Sequence, residues 1–423
     1  MKTEKPTSRE RDMSIESDKT KASAGFSVSR RRFLGASSAA TVFTIVPSHV
    51  LGQSPDKPAP SNTITYGVIG NGSRKDAGLR GNKAFRKIAV CDVDASHMAK
   101  EADGVTRYRD FRELLDQKDI DCVCISTPPH WHAIPCIAAA QAGKDIFCEK
   151  PFTKFIAEGR PVVEAVRRYG VVFQIGTFKR FSVNRSMHKL CASGLLKDMK
   201  GVVAHAGAKN RTGNPALPGQ KIPESLDYDL WLGPAPYKPY NGKRVHYSNR
   251  FYWDYEGGDL TNFGFHSFDP VQYQFAKDET GPVKVEPVGS WPQHPDVVGK
   301  YDSAVLTYAD GFKVVVGNKG AKSVNIKGSR KLDPKDLGPE DKAKLDAMPD
   351  PPALVKFEEA IRTRQQAGGH AESSHRASTA LNLANIAIRL GRQIHWDPVE
   401  EKIVGDEEAS RLVNIPMRGE WHL

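Results

Sequence analysis

The sequence lacks an uninterrupted apolar run of about 18 residues, the length that a membrane-spanning helix requires. It is also poor in the features of disulfide-rich and zinc proteins. Only 6 of its 423 residues are cysteine, and none forms a Cys-x-x-Cys pair or a Cys/His grouping with zinc spacing. We therefore predict no metal site, and we interpret the cysteines as small buried hydrophobic residues.

Positive charge is plentiful, but its pattern is not that of a nucleic-acid-binding protein. The formal net charge is +11, yet Lys and Arg form no stripe interleaved with aromatic residues, so we predict no nucleic-acid partner. A charged fraction of 26% is ordinary for a globular chain and excludes a disordered protein. The length corresponds to about two or three domains.

The N-terminal region has the pattern of an export signal. Residues 29–34 read Ser-Arg-Arg-Arg-Phe-Leu, the pattern of twin-arginine signals, and a mildly apolar stretch follows over 34–46. We expect residues 1–53 to be read by the twin-arginine translocation machinery and the protein to be exported to the periplasm. A basic amphipathic arm is the alternative. Residues 54–61 are a Pro-rich linker.

From residue 62 the sequence alternates short apolar runs with amphipathic stretches. Ile64–Ile69, 121–126 and 144–148 have the composition of buried parallel strands, and 156–168 that of an amphipathic helix. This alternation predicts an α/β fold with a doubly wound parallel sheet. After about residue 182 the predicted strands are joined by hairpin signals such as Asp310-Gly311, which favours an antiparallel sheet.

A glycine-rich turn follows the first predicted strand. Gly70-Asn71-Gly72-Ser73 matches the start of the dinucleotide fingerprint G-x-G-x-x-G, although Lys75 stands in the third glycine position, and we expect a helix to follow. Asp92 ends the second strand, where an acid holds the adenosine ribose and favours NAD over NADP. The alternative is an ordinary strand-to-helix turn.

Two further motifs close later strands. Residues 127–132 read Thr-Pro-Pro-His-Trp-His, and 149–151 read Glu-Lys-Pro. Both fall at carboxyl ends of predicted parallel strands, where ligands bind in open α/β sheets. A residue before proline is held away from the helical region, so Lys150 is a rigidly presented ammonium that can polarise a substrate hydroxyl.

In this order, the motifs resemble those of the Gfo/Idh/MocA oxidoreductases, over roughly residues 62–423. Residues 227–234 and 391–398 resemble the exported bacterial members. The resemblance implies a Rossmann NAD-binding domain over 62–182. It also implies a substrate-binding and oligomerisation α+β domain over 183–423, with an open-faced, mainly antiparallel sheet, in a homodimer or homotetramer. The implied cofactor-binding residues are Gly70, Asn71, Gly72, Ser73, Asp92, Thr127, Pro128, His130, His132, Glu149 and Lys150.

The resemblance places the catalytic histidine on a predicted helix over 257–275. His266 matches this histidine, and Asn262 stands where the family has an aspartate four residues earlier. An amide can hydrogen-bond but cannot stabilise an imidazolium by charge, so Asp259 or Asp269 is expected to take over. A histidine buried in the core is the alternative. The predicted catalytic residues are Lys150, His266 and Asn262; the predicted substrate-binding residues are Lys150, Arg180, Tyr255 and Asp269.

The resemblance implies an NAD-dependent oxidoreductase acting on a hydroxyl of a sugar, polyol or glycoside, with NADP as the less favoured cofactor. His266 removes the hydroxyl proton while Lys150 holds the oxygen. Since no free NADH pool is expected outside the cytoplasm, we expect the cofactor to be tightly held. The alternatives are an NAD-dependent glycosidase, working by oxidation, elimination, hydration and reduction, and a non-catalytic carbohydrate-binding relative.

Overall fold

The computed structural model describes residues 63–76, 78–177, 179–196, 200–205, 211–289, 293–317 and 337–423. The predicted signal region, 1–53, and the predicted linker, 54–61, lie outside these residues. Among the helices described, none has the length and apolar character needed to cross a membrane.

The first half forms a six-stranded parallel sheet in the order β3-β2-β1-β4-β5-β6, which confirms the predicted doubly wound sheet. The strands are β1 (Ile64–Ile69), β2 (Phe85–Cys91), β3 (Thr106–Tyr108), β4 (Cys122–Ile125), β5 (Asp145–Cys148) and β6 (Phe173–Ile175). The helices are α1 (Ala95–Met98), α2 (Phe111–Leu115), α3 (Ala133–Gln141) and α4 (Ile156–Tyr169). The strand order reverses between β1 and β4, the point at which such sheets bind ligands.

The central strands are buried because helices cover both faces of a parallel sheet. Every residue of β4 and β5 is buried, including Cys122, Cys124 and Cys148. These thiols act as small apolar side chains, and all six cysteines are free.

The second half forms a mixed sheet in the order β12-β11-β8-β9-β10-β7. Its neighbours are antiparallel except for the parallel pair β10 and β7, which fits the predicted mainly antiparallel sheet. The strands are β7 (Gly201–His205), β8 (Lys284–Val288), β9 (Ser303–Thr307), β10 (Lys313–Gly317), β11 (Ile394–Asp397) and β12 (Lys402–Val404). The helices are α5 (Arg185–Ala192), α6 (Tyr228–Leu232), α7 (Gly258–Gln274), α8 (Pro339–Ala347), α9 (Phe357–Thr363), α10 (Ala371–Leu390) and α11 (Glu407–Ser410).

Two long helices join the sheets. Helix α10 packs against α4 of the first half and against α7, β8 and β9 of the second. Helix α7 runs without a break through Pro270, so the predicted helix is continuous. Because α7 carries Asn262 and His266, this packing fixes both side chains relative to the first sheet.

The segment after Gly70 differs from the expectation. Over the described residues 71–76 and 78–84 the chain runs in turns and bends rather than a helix. Lys75, which stands for the third fingerprint glycine, has φ 46°, a conformation that L residues adopt rarely. The close approach to the sheet occurs instead at Gly78, where an added Cβ would lie 2.1 Å from the Phe147 ring.

We predict that Gly78→Ala destabilises the protein by about 1–3 kcal/mol, because Phe147 is buried in β5 and has no room to move. The midpoint of urea unfolding should fall. The matched control is Gly242→Ala, whose new methyl group would have only ordinary contacts at 3.6 Å and beyond. Equal unfolding midpoints for the two variants would contradict the packing role.

Candidate functional site

A cavity of about 360 Å³ opens at the carboxyl edge of the parallel sheet, between the two halves of the chain. Residues from both halves line it. The first half contributes Gly70, Gly72, Ser73, Arg74, Asp92, His97, Thr127, Pro128, Glu149 and Lys150. The second half contributes Trp231, His246, Tyr247, Asn249, Arg250, Glu256, Asn262 and Phe263.

The two glycines of the turn have different reasons to be glycine. Gly70 has φ 89°, and an added Cβ would lie 2.6 Å from the backbone nitrogen of Thr127, so both conformation and packing demand glycine. A Cβ on Gly72 would meet nothing nearer than 3.7 Å, at the His97 ring. Because Gly72 borders the cavity, the absence of a side chain leaves space there for a bound ligand.

Asp92 lies on the cavity wall at the end of β2. Its Oδ2 accepts the Asn71 N–H at 2.7 Å, and its Oδ1 accepts the Asp94 N–H at 2.8 Å. The Nδ1 atom of His97 lies 3.0 Å from Oδ2. These contacts fix the carboxylate plane before any ligand arrives, as a ribose-binding acid requires.

These residues fit a dinucleotide. The turn at Gly70 and Gly72 leaves room for close backbone approach, and Asp92 supplies a fixed acceptor for ribose hydroxyls. Thr127 Oγ1 is buried on the cavity wall and has no hydrogen-bond partner within the part of the chain that the structure describes. Such a hydroxyl is available to a bound molecule.

Arg74 borders the same region. A helix N-terminus commonly neutralises the diphosphate of a dinucleotide, but the described residues 71–76 and 78–84 form no helix. Arg74 is exposed and lines the cavity, where its guanidinium can pair with phosphate oxygens instead. Sequence reasoning missed this residue because the fingerprint emphasises the glycines.

Lys150 lies at the far end of the cavity, preceding a cis peptide bond to Pro151. Its ammonium is buried and donates to Asn262 Oδ1 at 2.9 Å. Asn262 in turn donates from Nδ2 to Glu256 Oε1 at 2.6 Å, and Arg250 donates to Asn262 Oδ1 at 3.3 Å. The amide therefore connects Lys150 to a buried carboxyl group.

Burial sets the pKa values in this group. It lowers the pKa of Lys150, against the opposing charges of Glu256 and Glu149. It raises the pKa of Glu256, while Arg250 and Lys150 work in the opposite direction. Burial thus disfavours both charged forms, and the neighbouring charges offset this effect only in part.

His266 lies one turn beyond Asn262 on α7 and is 8% exposed. Burial, followed by the positive charges of Lys150, Lys179 and Arg74, lowers its pKa to about 3. The imidazole is consequently neutral near pH 7, and, unlike Asn262, it is not among the residues that line the cavity.

The histidines of the 127–132 motif lie behind the cavity wall rather than on it. His132 lies 2.8 Å from the carbonyl oxygens of both Thr127 and Pro151, so it ties the two strand-end loops together. His130 contacts the Trp231 carbonyl oxygen at 3.1 Å, and burial lowers its pKa to about 3. His130 and His132 were predicted to contact the cofactor. In the structure they instead support the cavity wall from behind.

Three predicted substrate contacts are also placed elsewhere. Arg180 and Asp269 are both fully buried and pair at 2.7 Å, with Asp278 as a second partner of Arg180. A guanidinium removed from water needs such counter-ions. Tyr255 is fully buried against Trp231, and none of the three predicted residues lines the cavity.

Asp259 and Asp269 were expected to replace the family aspartate that is absent at position 262, but both already form ion pairs with arginines. Asp259 pairs with Arg211 at 3.0 Å, and Asp269 pairs with Arg180. The carboxyl group near Lys150 comes instead from Glu256, which precedes the Gly257-Gly258 turn at the start of α7. Glu256 lies before α7 and outside helical spacing from His266, so the sequence pattern did not indicate it.

Two family models match the chain. A model described as "Oxidoreductase family, NAD-binding Rossmann fold" matches residues 64–177. A model described as "Oxidoreductase family, C-terminal alpha/beta domain" matches residues 182–423, more than half of the chain.

Curated relatives match over shorter stretches. An uncharacterised oxidoreductase, YrbE of Bacillus subtilis, is 29% identical over 237 residues, which cover 54% of this chain and 58% of that protein. Inositol 2-dehydrogenase of Salmonella typhimurium is 32% identical over 128 residues, 28% of this chain and 38% of that protein. The chain thus spans 33–58% of the length of the first curated relatives that it matches.

Solved structures share the fold over most of the chain. The WlbA dehydrogenase of Bordetella pertussis, in complex with NADH and UDP-GlcNAcA, is 16% identical with a TM-score of 0.50 and covers 79% of this chain and 99% of its own. An NAD-binding protein from Listeria innocua is 15% identical with a TM-score of 0.51, over 79% and 99%. With both family models matched in order along one chain, the protein belongs to the Gfo/Idh/MocA family of oxidoreductases and carries its NAD-binding Rossmann domain.

Proposed function

We propose that the protein oxidises a hydroxyl group of a sugar or polyol with NAD as the hydride acceptor. The observation that carries this proposal is the buried Lys150 ammonium, hydrogen-bonded to Asn262 in the cavity that Gly70 and Asp92 also border. The inositol 2-dehydrogenases among the curated relatives support a polyol as the substrate.

The substrate end of the cavity suits a molecule with many hydroxyls. Lys150, Asn249 and Arg250 offer polar groups, and the rings of Tyr247 and Phe263 border the same space. Polar groups can orient hydroxyls while aromatic faces cover the C–H surface of a sugar ring. A hydrocarbon substrate would leave the remaining hydrogen-bonding capacity of the Lys150 ammonium unsatisfied.

Bound nicotinamide supplies the hydride acceptor, and the protein supplies position and electrostatics. Lys150 donates a hydrogen bond to the reacting hydroxyl oxygen and stabilises the negative charge that develops there. His266, neutral because of burial, accepts the hydroxyl proton. Asn262 orients Lys150 through its carbonyl oxygen and leaves the remaining ammonium protons for the substrate.

The export signal proposed for residues 1–53 favours a cofactor that stays bound between turnovers. Transfer between two sugars and NAD-dependent glycoside cleavage both restore the cofactor within one cycle, whereas net oxidation releases NADH. Product formation without accumulation of free NADH favours the first two reactions, and stoichiometric free NADH favours the third.

We expect the purified protein to bind NAD and to oxidise at least one member of a panel of inositols and aldoses. Lys150→Met should lower kcat by about 10²–10⁴-fold, because the polarising group is lost, while NAD affinity changes little. Single-turnover absorbance and calorimetry measure the two effects. The exposed Lys243→Met is the matched control.

Absence of bound nucleotide in the purified protein, together with a melting temperature unaffected by added NAD, would contradict the proposed function. That result would favour the non-catalytic carbohydrate-binding alternative. Equal activity of Lys150→Met and Lys243→Met would contradict the role of Lys150 alone.

Arg74→Gln should weaken NAD binding by about ten- to a hundredfold, because a charge-assisted hydrogen bond to phosphate is lost. The matched control is Arg80→Gln, an exposed arginine of the same segment that does not line the cavity. Fluorescence titration at two salt concentrations checks this, and the difference between the variants should shrink at high salt. Identical affinities at low salt would refute the phosphate contact.

Glu256→Gln should move the alkaline limit of kcat/KM to lower pH. The active form has a charged Lys150, whose ammonium is lost as the pH rises through its lowered pKa, and Glu256 opposes that lowering. Asn262→Asp should move the limit to higher pH by adding a carboxylate beside the ammonium. The exposed Glu359→Gln on α9 is the control. Unchanged pH profiles for both site variants would contradict the coupling.

A further inference from the structure

Three side chains with metal-binding atoms converge beside the cavity: His97 and His246 line it, and Asp94 lies next to them. Asp94 Oδ2 lies 3.3 Å from His246 Nε2 and 4.0 Å from His97 Nε2, and the three ligand atoms all lie within 4.8 Å of one another. The sequence showed no metal-binding spacing here, because His246 lies far along the chain from the other two.

The cluster joins the two halves of the chain. Asp94 is the N-cap of α1, where its Oδ1 accepts the Ser96 N–H at 3.0 Å, so that Oδ2 faces the histidines. His97 follows on α1. His246 begins the 3₁₀ segment His246–Phe251 of the second half and has φ 51°, an unusual conformation for a non-glycine residue that structures retain mainly at functional positions.

We propose that Asp94, His97 and His246 form a binding site for a divalent transition metal, with Zn²⁺ as the best match. Two imidazole nitrogens and one carboxylate oxygen are a donor set that Zn²⁺ uses, and tetrahedral ligands around it lie about 3.4 Å apart. The observed 3.3 and 4.0 Å bracket this spacing, and the ligand atoms of the two histidines lie within 4.8 Å of each other. The fourth coordination position would be taken by an oxygen atom of a water molecule or of a ligand in the cavity.

The surroundings of His97 match those of a metal ligand. Its other ring nitrogen, Nδ1, lies 3.0 Å from Asp92 Oδ2. Metal-ligating histidines almost always donate their second N–H to a carboxylate or carbonyl, which fixes the tautomer and the ring orientation. Asp94 is 5% exposed, so its carboxylate is held in place rather than solvated.

A metal at this position would hold one wall of the cavity in place. The segment that begins with His246 also carries Arg250, which donates to Asn262 at 3.3 Å. Pinning His246 to α1 therefore holds this segment between Asp94 on one side and Asn262 on the other. This consequence rests on the proposed function, and linkage requires that metal and NAD then raise each other's affinity by the same factor.

The test uses untagged, chelator-treated protein without nucleotide. Calorimetry with Zn²⁺ alone should give one equivalent per chain, and Co²⁺ should give the intense visible absorption of a tetrahedral site. His246→Ala and Asp94→Asn should each weaken binding at least about tenfold, the lower end of the loss seen even for outer partners. Asparagine still caps a helix, so Asp94→Asn preserves α1. The exposed His395→Ala on β11 is the matched control.

Equal Zn²⁺ affinity in the wild type, His246→Ala and Asp94→Asn would overturn the proposal, as would the absence of a stoichiometric site in the wild type. A second readout does not depend on the variants: Zn²⁺ should raise the wild-type melting temperature and slow the release of bound NAD. Because the titration contains no nucleotide, failure to bind NAD leaves the metal result intact, and the two failures are distinguishable.

Discussion

The candidate site depends on one constraint: the Lys150 ammonium group is buried, where little water reaches it. Moving an isolated charge out of water is strongly unfavourable unless other groups replace its hydration. Lys150 obtains this replacement from the Asn262 carbonyl oxygen and, one bond further, from Glu256. Since no carboxylate among the described residues pairs with Lys150 directly, the ammonium keeps hydrogen-bonding capacity for a ligand.

This arrangement requires a fixed distance between the end of β5 and helix α7. The buried ion group of Arg180, Asp269 and Asp278 provides one fixed point, because Arg180 follows β6 and Asp269 lies on α7. Removing one member of such a group typically destabilises a protein by about 3–5 kcal/mol. Arg180 and Asp269, which were predicted to bind the substrate, therefore act indirectly. They hold in place the helix that carries Asn262 and His266.

The sequence predicted most of the architecture and the chemical identity of the central residue. Alternating strands and helices, Gly70, Asp92 and the strand-end motifs are local signals, and local signals follow directly from backbone geometry and periodicity. The doubly wound parallel sheet and its ligand-binding edge were predicted from them, whereas the strand order comes from the structure. The Glu-Lys-Pro motif is also a local signal, and it indicated Lys150.

What the sequence did not predict depends on contacts between distant segments. Over the described residues 71–76 and 78–84 no helix follows Gly70, and Gly78 rather than a third fingerprint glycine packs closely on Phe147; no fingerprint rule contains this contact. Glu256 replaces an absent acid through Asn262 rather than at helical spacing. Arg180 and Tyr255 resemble binding residues by type, but only the tertiary structure shows that buried partners already satisfy the first and enclose the second.

The contacts of Asp92 bear on attempts to redesign coenzyme preference. Exchanging the acid at this position is the usual first step towards accepting a 2′-phosphate. Here the same carboxylate anchors the Asn71 and Asp94 backbone amides and contacts His97. A single exchange would therefore remove the anchor of two turns along with the discriminating charge, and a working NADP variant of this chain would need the neighbouring turns rebuilt at the same time.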